Sequence, residues 1–127
     1  MSVNTDLKLS SLSHTWIFDL DGTLVKHNGY LGAGDELLTG VRDFVRSIPE
    51  NDEIIILTAR KESQREDTCL FLDEMGLRYD RIVFDVPHGE RILVNDIKPE
   101  GLHTAIAVNL ERDFGLDGVT WRTDETI

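Results

Sequence analysis

Trp16-Ile17-Phe18-Asp19-Leu20-Asp21-Gly22-Thr23 is the stretch on which the fold turns. Its three leading apolar residues read as a buried strand, so the two acids stand where that strand ends. In an open α/β sheet, ligands bind beyond the carboxyl ends of the strands. Two acids two residues apart face the same side of an extended chain. A like-charged pair there is costly unless a cation lies between them. A divalent ion suits carboxylate oxygens. A plain surface turn accounts for Asp21-Gly22, a common hairpin dipeptide. It does not account for Asp19 at the end of an apolar run.

Outward from this segment, residues 1–13 read as a loose lead-in and 14–20 as the first strand. Residues 22–34 hold four glycines and little periodicity, the mark of a flap. From Asp35, the positions Leu37, Leu38, Val41, Phe44, Val45 and Ile48 recur at helical spacing, and Pro49 stops the run. Ile54-Ile55-Ile56-Leu57 reads as a buried parallel strand. A second helix is expected from Lys61 to Met75, capped by Gly76. Arg81-Ile82-Val83-Phe84 makes a third strand and Ile92-Leu93-Val94 a fourth, ending at Asn95-Asp96. A fifth is expected over Thr104–Val108, with an undecided tail to Ile127. Strands alternating with helices predict an α/β fold. Its expected form is Rossmann-like, three-layer α/β/α, with a central, mainly parallel five-stranded sheet.

At 127 residues the chain is expected to form one domain, residues 1–127. Its net charge of −11, from 24 acidic and 13 basic side chains, argues against a nucleic-acid or membrane partner. One cysteine, Cys69, excludes an intramolecular disulfide and reads as a structural thiol in a helix. No secretory signal and no membrane-spanning run is visible, so a cytoplasmic protein is expected.

Two further strands end in polar residues. Leu57-Thr58-Ala59-Arg60 puts a hydroxyl and a backbone amide at the carboxyl edge, and Val94-Asn95-Asp96 adds a third carboxylate. Arg81 and Arg91 could supply a fixed cation. Acids, a hydroxyl and a cation on one edge suit phosphoryl transfer, which is mostly positioning and charge neutralisation.

The set Asp19-Leu20-Asp21-Gly22-Thr23, Thr58 and Asn95-Asp96, in that order, resembles the haloacid dehalogenase superfamily of aspartate-nucleophile phosphatases. The resemblance covers about residues 14–110. It implies that Asp19 is the nucleophile and that Asp21 is the general acid and then the base. It also implies a Mg²⁺ site at Asp19, Asp21 through its main-chain carbonyl, and the Asn95-Asp96 pair. Thr58 and the Gly22 and Ala59 amides would bind phosphoryl oxygens. One departure stands out: Val86-Pro87-His88-Gly89-Glu90-Arg91 has no basic residue before its proline, where the family places one. Arg91 is the candidate for that cation and Lys98 the alternative.

The dozen flap residues leave no room for the cap domain that many members carry, so the site is expected to be open. A large substrate or a neighbouring subunit of a homo-oligomer could cover it. His27 and Tyr30 in the flap are then candidate substrate contacts, with Lys26 and Asn28 beside them. The leading expectation is a phosphatase for a small phosphorylated metabolite such as a sugar or polyol phosphate. The resemblance of the Leu-Val-Asn-Asp strand end to enzymes of surface-polysaccharide and sugar biosynthesis suggests that class. The alternatives are a phosphatase of a macromolecular end (a nucleic-acid 3′-phosphate or a phosphoprotein) and a non-enzymatic receiver-type domain phosphorylated at Asp85.

Overall fold

The computed structural model describes residues 4–127. In chain order it contains β1 (Thr5–Leu9), β2 (Thr15–Asp19), α1 (Val41–Ser47), β3 (Glu53–Leu57), α2 (Arg65–Glu74), β4 (Arg81–Val83) and β5 (Val119–Thr123). Strands β2, β3 and β4 form one parallel sheet in that order. Parallel neighbours need a crossover, and the segments bearing α1 and α2 supply the two required here. Asp19 pairs with Leu57, and Leu57 with Val83, so all three strands end at one edge. Thr58, one residue past β3, therefore starts from the same edge as Asp19.

The helices are shorter than expected. Residues 35–40 are not helical, because Gly40 takes a left-handed conformation at φ 78° and α1 begins only after it. A side chain at position 40 would also run into the main chain and carboxylate of Asp117. Leu37 and Leu38, read as helical, instead close the base of the flap: Leu38 donates its N–H to Leu24 O at 3.0 Å, and Leu37 bridges Val25. At the other end Ile48 is extended (φ −74°, ψ 125°), as a residue preceding proline prefers. A short 3₁₀ turn, Glu62–Gln64, leads into α2. Helix α2 closes with Leu77 N–H on Leu72 O and Gly76 N–H on Asp73 O, both at 3.0 Å.

The five-stranded central sheet of the sequence-based expectation is not present among the described residues. Five short strands form two small sheets, the second being a parallel pair of β1 and β5 from the two ends of the chain. Residues 92–94, expected as a strand, are exposed at 86, 51 and 85% and pair with nothing among the described residues. Arg91 is bonded to Asp19 at the carboxyl end of β2, so this segment sets out from that edge. A parallel partner of β2 that ended at Asn95 would have to start near Thr15 instead. Residues 104–108 are not a strand either. Their leading end is held by a local loop in which Thr104 Oγ1 donates to Asp96 O at 2.6 Å and Asn95 Nδ2 to Thr104 O at 3.3 Å. Ile97 and His103 bridge within that loop.

Strands β1 and β5 fall where a loose lead-in and an undecided tail were expected. Leu7 and Leu9 alternate with polar neighbours, as do Val119 and Trp121, which is the period of a half-buried strand. Residues 1–3 of the expected lead-in lie outside the described residues. The two sheets share one apolar cluster that runs from Phe18 and Ile54 through Val41 and Phe44 to Leu116 and Val119. Trp16 of β2 joins them, meeting Trp121 edge-on at 5.7 Å and Phe44 at 5.6 Å.

The buried Asp52, just before β3, anchors the start of β2. Its Oδ1 accepts from His14 N–H at 3.0 Å and its Oδ2 from Trp16 Nε1 at 2.9 Å. Burial pushes this carboxyl up, but the bonds from Trp16 and His14 outweigh it and hold the group below its ordinary 3.8. Its contribution is therefore present above 3.8 and is lost as pH falls through the depressed value. Asp52→Ala should cost about 1–3 kcal/mol for each buried donor left unsatisfied. Urea unfolding should show that deficit at neutral pH, and the gap to the parent should narrow below pH 3.8.

Candidate active site at the carboxyl edge of the three-stranded sheet

The chain knots tightly where β2 ends. Leu20 O accepts from Thr23, Leu24 and Val25 N–H at 3.3, 2.9 and 3.1 Å, and Gly22 N–H donates to Val25 O at 2.7 Å. Gly22 sits at φ 87°, which only glycine adopts freely. Leu20 and Leu24 are fully buried beneath the turn. The knot returns Thr23 to Asp19, where Thr23 Oγ1 donates to Oδ2 at 3.1 Å. On the other oxygen, Arg91 Nη1 donates to Asp19 Oδ1 at 2.8 Å. The two side chains stay 41% and 33% exposed, so this pair faces open solvent. Of the two candidate cations, Arg91 is the one at Asp19. Lys98 is exposed in the 97–103 loop and makes no ion pair among the described residues. Arg81 is bonded instead to Glu53 at 2.8 Å, at the other end of β3.

Asp21 is held by a different cation, Arg60, which the sequence had not singled out. Arg60 donates from Nε to Asp21 Oδ2 at 3.1 Å and from Nη2 to Asp21 Oδ1 at 2.8 Å. The same guanidinium donates to Asp35 Oδ2 at 3.1 Å and Oδ1 at 2.7 Å, and to Thr68 Oγ1 at 2.9 Å. Its side chain is 1% exposed. Burial alone would pull its pKa down, but Asp21 and Asp35 reverse this and the net shift is upward, so the group stays charged. Tyr30, a candidate substrate contact, lies with its ring centroid 4.0 Å from the Arg60 carbon.

The remaining candidates divide. Thr58 is buried, with its Oγ1 accepting from Arg60 N–H at 3.1 Å, so its oxygen props the turn after β3. Ala59 N–H has no partner among the described residues and remains available to an anion, whereas the Gly22 amide is taken by Val25. His27 is half-buried, and its backbone N–H donates to Asp113 Oδ1 at 2.7 Å. Asp85, the acceptor in the receiver alternative, takes Glu62 N–H at 3.2 Å. Asn95 and Asp96 lie on the exposed 92–100 stretch, bonded to Thr104. Among the described residues no three His, Cys, Asp or Glu gather as a metal group, so Asp96 does not join Asp19 and Asp21. The donor set for Mg²⁺ is thus incomplete: Asp19 and Asp21 offer hard oxygens, and the expected third carboxylate stands apart.

The undecided tail also reaches the site. Asp113 N–H donates to Gly22 O at 2.9 Å, and the Arg112 stem crosses Gly22, where a Cβ would approach its Cγ to 3.2 Å. Nothing in the spacing of residues 109–118 signals this contact, which depends on tertiary folding. Arg60 lies three residues past the end of β3, and its partners Asp35 and Thr68 reach it only through tertiary folding. No helix among the described residues is long and apolar enough to cross a membrane. Compared with family models, with curated proteins and with solved structures, the chain matches none.

Removing Arg60 strands two partly buried carboxylates. Arg60→Met should therefore cost about 3–5 kcal/mol. Equilibrium urea denaturation measures this, and Arg65→Met, which removes an exposed ion pair with Glu62, should leave the unfolding midpoint close to the parent's.

Proposed function

We propose that this chain is a phosphatase of the haloacid dehalogenase superfamily that hydrolyses a phosphomonoester through an aspartyl-phosphate on Asp19. The observation that carries this reading is the Asp19 carboxylate at the open carboxyl edge, with the Arg91 guanidinium 2.8 Å from one oxygen and the Thr23 hydroxyl 3.1 Å from the other. A cation beside an anionic nucleophile is what attack on an anionic phosphate requires. Asp19 attacks phosphorus, and the bond to the leaving oxygen breaks as that oxygen takes a proton from Asp21. Water then attacks the same phosphorus, gives its proton to Asp21, and breaks the bond to Asp19. Arg91 and the free Ala59 amide meet the charge on the phosphoryl oxygens.

Mg²⁺ is the ion the family resemblance implies. It would lessen the repulsion between nucleophile and phosphate. Asp96 forms no metal-binding group with Asp19 and Asp21 among the described residues, so the proposed chemistry runs through the chain's own side chains. A small phosphorylated metabolite of the sugar or polyol class is the proposed substrate, and the cytoplasm the proposed compartment. The net charge of −11 disfavours a nucleic-acid end.

Purified protein with Mg²⁺ should release phosphate from p-nitrophenyl phosphate and from members of a sugar and polyol phosphate panel. Asp19→Asn should abolish release. Arg91→Ala should lower kcat/KM by about 10²–10³, as loss of a charge-stabilising donor does. Arg81→Ala, at the far end of the sheet, should leave the rate unchanged. No turnover on any ester, or full activity in Asp19→Asn, would contradict the proposal.

A further inference from the structure

Asp21 and Asp35 belong to different parts of the chain, one to the turn after β2 and the other to the far base of the flap. The flap between them is a closed loop: Lys26 N–H donates to Glu36 O at 2.9 Å, and Gly34 N–H to Gly29 O at 2.8 Å. Arg60 is where its base meets the turn. A guanidinium has five N–H donors in a rigid plane. Here Nε is spent on Asp21, Nη2 on Asp21 and Asp35, and Nη1 on Asp35 and Thr68. All five have partners, and Tyr30 of the flap stacks on the plane. The Arg60 backbone is held as well, its N–H on Thr58 Oγ1 at 3.1 Å and its carbonyl accepting Asp85 N–H at 2.8 Å. Such a group has no donor left for substrate and no freedom to follow one carboxylate without leaving the other.

We propose that Arg60 is a positioning residue that couples the flap to Asp21, so that one side chain sets both the seat of the flap and the aim of the proton-moving carboxylate. The proposal rests on the phosphatase reading of the site. A carboxylate has about four acceptor sites. The fork fills two of those on Asp21 and leaves others for a proton or a leaving oxygen. Tyr30 and Asp35 carry the position of the flap into the fork, and the fork carries it to Asp21. A substrate that seats the flap thereby aligns its own proton donor.

Leaving-group dependence separates this role from a merely structural one. Nitrophenolate departs without a proton, whereas an alkoxide needs one. Arg60→Lys keeps the charge but cannot grip two carboxylates in a plane, and Asp35→Asn loosens the flap side with Arg60 intact. Both variants should lower kcat on the best alkyl phosphate of the panel about 10–100-fold more than on p-nitrophenyl phosphate, a part of the 10²–10⁴ that a positioned acid supplies in full. Equal losses on both esters would overturn the proposal. Hydrogen–deuterium exchange of the same proteins gives a second readout that needs no turnover. In Asp35→Asn, exchange should rise in residues 20–25 as well as in the flap. A rise confined to 26–36 would overturn the coupling, even if the parent hydrolysed nothing and the phosphatase reading had failed.

Discussion

A guanidinium with 1% of its side chain exposed must have its charge met nearby, and in this protein Asp21 and Asp35 meet it. Taking such an ion out of water costs several kcal/mol unless excellent geometry repays it. The five hydrogen bonds of Arg60 satisfy that demand and bind the motif turn, the flap and α2 into one constellation. The turn cannot drift, because Asp21 is held by both oxygens. Nor can the flap base, because Asp35 is held in the same way. What stays exposed at the edge is Asp19 with Arg91, the pair on which the proposed chemistry depends.

The contrast between the two acids is the main electrostatic feature of the site. Asp19 shares its oxygens with one hydroxyl and one half-exposed arginine, and Asp21 gives both of its oxygens to a buried one. Two carboxylates two residues apart thus lie in different surroundings, each with its own cation. Such a division suits one group that attacks and one that handles protons. It also resolves the like-charge problem posed by the sequence: on the described residues the compensating cations are arginines. In a chain of net charge −11, Arg60 is spent on Asp21 and Asp35, which leaves Arg91, one-third exposed beside Asp19, as the cation open to an anionic ester.

The heart of the fold was legible because it is governed by continuous apolar runs. Trp16-Ile17-Phe18 and Ile54–Leu57 became β2 and β3, and the register between them pairs Asp19 with Leu57, the residue before Thr58. Ile92-Leu93-Val94 looks the same on paper, yet three apolar residues make a strand only where a partner edge is in reach. The Arg91–Asp19 bond instead starts that segment at the far end of β2. Leu37 and Leu38 matched a helical period, but Gly40 in a left-handed conformation cut the helix short. Strands β1 and β5 went unseen because each is short and polar on one face, and they pair across more than a hundred residues of sequence. Asp19 and Asp21 were readable from local chemistry. The hub at Arg60 was not, because its partners Asp35 and Thr68 are brought together only by the flap and α2.

On the proposed mechanism, Asp19 carries the phosphoryl group during turnover. Borohydride reduction of an acid-quenched reaction converts an aspartyl-phosphate to homoserine, and peptide mapping reads the position. With p-nitrophenyl phosphate as donor, homoserine should appear at position 19 and be absent from Asp19→Asn. Modification at Asp85, or phosphate release with no residue reduced at position 19, would rule out Asp19 as the nucleophile.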